Sequence, residues 1–128
     1  MLDTHIALWA IQGDRRLTKA TTNLIADPQN QIVISAVTIW EISIKFRLSR
    51  GRHNDIPISG PDALRYFRLA NYTLLPVTAD HAIAVALLPD YHSDPFDRLM
   101  IAQALHETLR LITHDAIVKT YSDSIMLV

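Results

Sequence analysis

The chain is 128 residues long, 49% of them apolar, with a formal net charge of −1 and no cysteine. That length supports one domain burying a sizeable core, and the missing cysteines exclude both a disulfide framework and a thiolate metal site. No run of about 18 or more apolar residues is present and no signal-type segment opens the chain, so a cytoplasmic protein with no membrane span is expected.

In chain order, Met1-Leu2 before Asp3 reads as a truncated strand, and Thr18 caps a helix over KATTNLIA. QIVIS (31–35) is a strand, and Ser35 opens a helix over AVTIWEISIKF. The segment 49–61, with two glycines and two prolines, reads as a surface loop. Lys45, Arg47, Arg50, Arg52 and His53 make it the one basic patch of the sequence. Pro61-Asp62 starts a helix over ALRYFRLA, TLLPV (73–77) is a strand, and Thr78 starts a helix over ADHAIAVALL. Asp94-Pro95 starts a helix over FDRLMIAQAL, followed by strands LRLIT (109–113) and SIMLV (124–128). Strands alternating with helices predict an α/β fold of three layers, a central parallel sheet flanked by helices, in a single domain over 1–128.

Ligands in such sheets bind beyond the carboxyl ends of the strands. Asp3 follows the first strand, Asp115 follows LRLIT with only His114 between, Asp97 lies in the first turn of its helix and Glu41 in the second turn of its own. Asp3 and Asp115 have a competing reading as helix N-caps, and Glu41 has a surface partner in Lys45 at i+4. Asp94 is the expected cap of its helix. Asp97 shares a row with Ile101, Ala104 and Leu105, so its carboxylate leaves from the core-facing side. Four converging carboxylates repel one another, and a divalent cation makes the arrangement reasonable. Oxygen ligands without thiolate point to Mg²⁺ or Mn²⁺. The six histidines form no paired spacing on one helix, which argues against zinc; His5 and His114 are expected at the surface or behind the metal ligands rather than lining the cleft, and His92 in the loop entering a helix. No phosphate-cradling glycine loop and no G-x-S-x-G elbow occur. A phosphotransfer domain is disfavoured because no lysine falls at a strand end.

LDTHIALWA, ISAVTIWEISIKFRLSRG, HSDPFDRLMIAQAL and LITHDAIVKTY, in that order and spacing, resemble PIN-domain proteins, specifically the VapC-type toxins of bacterial toxin–antitoxin pairs. The resemblance covers essentially the whole chain. It implies a Mg²⁺- or Mn²⁺-dependent endoribonuclease with Asp3, Glu41, Asp97 and Asp115 as the catalytic acids. Asp3 and Asp97 would hold the metal, while Glu41 and Asp115 would bind a second ion or orient a water. It further implies an RNA substrate, a homodimer, and a cognate antitoxin whose C-terminal segment fills the cleft. Thr4, Ser35 and Thr113 are expected to hold water beside the metal, and Arg98 with the basic patch to offset repulsion between acids and RNA. A PIN-like module that binds RNA or a protein without cleaving is the alternative. The departure from the family pattern is at the start, where only Met1 and Leu2 precede Asp3. It predicts either an earlier start in the natural protein or a first metal ligand beside a frayed, charged terminus.

Overall fold

The computed structural model describes residues 1–49 and 56–128. The elements are α1 (Thr4–Gln12), α2 (Lys19–Ala26), β1 (Val33–Ser35), α3 (Ala36–Ser49), α4 (Gly60–Leu69), β2 (Thr73–Leu75), α5 (Ala79–Val85), α6 (Pro95–His106), β3 (Ile112–Thr113), α7 (Ala116–Lys119) and β4 (Met126–Leu127). Thr18, Thr78 and Asp94 cap α2, α5 and α6 as their sequence positions predict. α4 begins one residue earlier than its proline, on a Ser59 cap.

The fold is mixed α/β with parallel strands, but its sheet comes in two pieces. β1 pairs with β2 and β3 with β4, both in parallel. Leu2 alone joins them through parallel bridges to Ile34 and Ile112. The first strand shrinks to this single residue because the next one, Asp3, already caps α1: its carboxylate Oδ1 accepts the Ile6 amide at 2.8 Å. The terminus is nonetheless not frayed. Ile112 N donates to Met1 O at 2.9 Å, Leu2 N to Val33 O at 3.0 Å and Asp3 N to Ile112 O at 3.0 Å. The terminal amine donates to Arg110 O at 2.7 Å, and burial pushes its pKa down to about 6.

Alternation along the strands sorts the core into two apolar clusters. Leu2, Ile34 and Ile112 pack with Ile6, Ala7, Ile42, Ala63 and Phe67, which places α1 and α4 over one face. Their strand neighbours Met1, Val33 and Leu111 pack with Val37, Met100, Ile101, Val118 and Ile125, which places α6 and α7 over the other. Each fully buried side chain of this kind contributes roughly 1.5–3 kcal/mol. α4 approaches α3 closely at Gly60, where a Cβ would meet Ser43 Oγ at 2.0 Å.

Phe67 and Ala63 of α4 are therefore core residues, although Tyr66 and Leu69 stay exposed. Arg50, Arg52 and His53 of the basic patch lie outside the described residues.

Candidate metal centre

Three of the four acids sit at helix starts, two of them where a strand segment runs straight into a helix that must be capped. Asp3 caps α1, Asp115 caps α7 and Asp97 follows the Asp94 cap of α6. Cap and site residue prove compatible, since a carboxylate has two oxygens. Asp3 gives Oδ1 to the Ile6 amide and turns Oδ2 toward His114 Nδ1 at 3.7 Å. Asp115 gives Oδ1 to the Ile117 and Val118 amides at 2.7 and 3.4 Å, and its Oδ2 meets His92 Nε2 at 3.2 Å.

Asp97 caps nothing. Asp94 Oδ1 takes the Phe96 and Asp97 amides at 2.8 and 3.4 Å, so the two aspartates divide the labour as the helix wheel predicts. Asp94→Ala should accordingly cost about 1 kcal/mol of stability, read as a melting temperature lower by about 4 °C.

Glu41 reaches the group from α3 and is 3% exposed. Thr4 Oγ1 donates to its Oε2 and Lys45 Nζ to its Oε1, so both oxygens are engaged. Lys45 is thus a partner of the acid cluster. Burial works against its charge, but Glu41, Asp94 and Asp97 together hold its pKa above the usual lysine value.

Asp97 feels its charged neighbours strongly. Desolvation first, then the charge of Asp94, drives its carboxyl up to about 7, with Glu41 and Asp3 adding to the rise and His92 opposing it. Asp115 goes the other way: partial burial works upward, but the amides of Ile117 and Val118 and the His92 ring hold it below the usual carboxylate value. The His114 imidazole is raised by its bond to Asp3, against desolvation, with Asp115 and Asp97 contributing. Such a set, rich in carboxylate oxygens and short of positive charge, fits a hard divalent cation.

His92 is the site residue that sequence reasoning missed, having placed it in the entry loop alone. Its Nδ1 accepts the Asp94 amide at 3.0 Å, so the ring proton sits on Nε2, between Asp97 Oδ2 at 3.4 Å and Asp115 Oδ2 at 3.2 Å. In this tautomer it is a donor that ties the two acids together, not a metal ligand. Its backbone is fixed as well: His92 N donates to Tyr121 OH at 2.8 Å, and that hydroxyl donates to Pro89 O at 2.9 Å. A signal existed in the sequence, a histidine two residues before the cap, but it has no helical pairing to mark it.

Arg98 corrects a second expectation. Its guanidinium donates to the carbonyls of Pro89, His92, Val85 and Leu88 at 2.8–3.3 Å, so it braces the segment before α6 instead of facing RNA. Ser35 and Thr113 are also committed to the protein. Ser35 Oγ takes the Val37 amide and donates to Gln103, while Thr113 Oγ1 accepts the Asp115 amide at 3.0 Å.

Another histidine–carboxylate group among the described residues, His81, His106 and Glu107, is internally satisfied. His81 Nδ1 accepts the Thr78 amide at 3.1 Å, which leaves the proton on Nε2 for Glu107 at 2.8 Å. A concavity of about 770 Å³, lined by residues including Gly13, Leu17, Gln31 and Tyr72, opens at the amino ends of β1 and β2 and contains none of the four acids.

The model of the PIN domain matches residues 1–123. The chain belongs to the PIN-domain family. This PIN domain is 29% identical over 119 residues to ribonuclease VapC22 of Mycobacterium tuberculosis (strain ATCC 25618 / H37Rv), covering 90% of its own length and 85% of that protein's. Its fold is similar to a crystal structure of VapBC2 from Rickettsia felis bound to a DNA fragment from their promoter. The TM-score is 0.65 at 18% identity, covering all of this PIN domain and 96% of that chain. No helix among the described residues is long and apolar enough to cross a membrane.

Proposed function

We propose that this PIN domain is a Mg²⁺- or Mn²⁺-dependent endoribonuclease, the toxin of a toxin–antitoxin pair. The observation that carries the reading is Asp97, driven up to about 7 by desolvation and by the charges of Asp94, Glu41 and Asp3, with His92 reaching both it and Asp115. A relative called a ribonuclease and a fold shared with a VapBC complex support it.

Asp3 and Asp97 would hold the cation directly, with Glu41 and Asp115 holding a second ion or a water. When bound, the cation acidifies a water for attack on a phosphodiester and neutralises charge on the phosphate. The protein's own groups prepare that place. Thr4 and Lys45 fix the two oxygens of Glu41, the Ile6 amide fixes Asp3, and His92 holds Asp97 and Asp115 at a set separation. Lys45, held above its usual pKa, keeps a positive charge beside the acids and lessens their repulsion of RNA phosphates.

The same reading gives the protein a cognate antitoxin, whose segment would cover the cleft, and a homodimeric state. Purified protein should cut single-stranded RNA when Mg²⁺ or Mn²⁺ is supplied and stop when EDTA is added. RNA left intact with either ion, by protein shown to be folded, would remove the ribonuclease reading.

A further inference from the structure

One flank of the acid cluster is aromatic. His114 follows β3 directly, and its Nδ1 lies 3.7 Å from Asp3 Oδ2 while 41% of its side chain stays in solvent. Its ring is held on two sides: the His5 ring meets it edge-on at 5.1 Å, and the Trp9 ring is tilted against it at 4.9 Å. Trp9 in turn is nearly buried and clamped from beyond, with the Arg16 guanidinium 4.5 Å over its ring and itself paired to Asp14 at 2.7 Å. An exposed imidazole is thus fixed in place by two successive supports, next to an acid of the catalytic group.

Aromatic rings left exposed beside a backbone-cleaving centre are suited to one occupant in particular. A base flanking a phosphate in the acid pocket would lie against a neighbouring ring, and stacking accepts any base because each has a π-face. A ring already rigid loses little entropy when the base arrives. We propose that the His5–His114–Trp9 ledge is a stacking seat for an unpaired nucleobase next to the phosphate being cut, with His114 as the contact surface and His5 and Trp9 as its supports. The identity of the ligand as RNA rests on the ribonuclease reading; the seat itself rests on the ring geometry. Another exposed aromatic, Trp40, is 52% exposed and edge-on to Phe96 at 4.9 Å, and serves as the control ring.

The test compares two probes of equal charge by fluorescence anisotropy: an eight-nucleotide oligoadenylate and an eight-unit abasic ribose phosphate. Binding is measured in an Asp97→Asn background so that the RNA survives. The background protein should prefer oligoadenylate by about tenfold, within the range for one base on an aromatic ring. His114→Ala should erase that preference by weakening the oligoadenylate alone, and His114→Phe should restore it. Equal binding of the two probes by the background protein overturns the proposal. So does His114→Ala weakening both probes alike, or Trp40→Ala erasing the preference in place of His114→Ala. If the preference stands but unsubstituted protein fails to cut RNA with Mg²⁺, the seat survives and the ribonuclease reading falls. If cutting stands without the preference, the reverse holds.

Discussion

Asp97→Asn should abolish divalent-ion-dependent RNA cleavage, lowering kcat by about a thousandfold or more, while the protein remains folded. The magnitude follows from removing a carboxylate that holds the ion supplying several kcal/mol of charge stabilisation at the reacting phosphate. Folding survives because the Asp97 carboxylate caps no helix. It accepts no amide bond of α6, a task Asp94 performs, and its ion-pair partner among the described residues is His92 Nε2 at 3.4 Å. Asparagine presents an oxygen to that same donor without the charge. Quenched-flow or gel assays on a labelled RNA give kcat, and circular dichroism gives the melting temperature. Loss of activity accompanied by unfolding would place Asp97 among the structural residues instead.

In metal-free protein, Asp97→Asn should be more stable than the wild type at pH 8 and equal to it only below about pH 4. The sign comes from linkage. An unfolded aspartate loses its proton near pH 3.9, whereas folded Asp97 keeps it up to about 7. Between those values the folded state binds more protons than the unfolded one, so rising pH destabilises the wild type through this group. Asparagine has no such dependence. A displacement of this size corresponds to about 4 kcal/mol when unscreened, and Asp97 keeps 27% of its side chain in water, which weakens it. The expected gap is a melting temperature about 5 °C higher for the variant at pH 8. Burial of the Met1 amine and of His5 acts oppositely as pH rises, since each is pushed below its ordinary value. Both groups are common to the two proteins and cancel in the difference, which is left to Asp97 and to its smaller pull on His114 and Lys45. Adding Mn²⁺ at pH 8 should reverse the order, since only the wild type gains from binding it. Melting curves whose separation does not change with pH would show Asp97 ionised and paired like an ordinary carboxylate.

The elements and the acids were legible in the sequence for different physical reasons. Helices α2, α5 and α6 announced themselves through Thr18, Thr78 and Asp94, whose side chains satisfy the first orphan amides. The position of Asp97 followed from helical periodicity, and Ile101 and Ala104 on its row are indeed buried. Helices α1 and α7 were not foreseen as such, because capping by Asp3 and Asp115 was weighed as a rival to a functional role. Each carboxylate caps with one oxygen and turns the other toward a histidine. His92 and Arg98 were misjudged because their partners are backbone groups and residues distant in the chain. No spacing rule reveals that a ring accepts the Asp94 amide, or that one guanidinium collects four carbonyls. The sheet was expected to be continuous, yet its centre is the single residue Leu2, since the strand's extent depends on where the next helix must be capped.

The central claim is that the four acids form a cation site with Asp97 at its heart, and calorimetric titration of Mn²⁺ into metal-free protein at pH 8 tests it most directly. Saturable binding in the wild type and in Asp94→Ala, lost in Asp97→Asn, is the predicted result. Binding that persists unchanged in Asp97→Asn, or that is absent from folded wild-type protein, would contradict it.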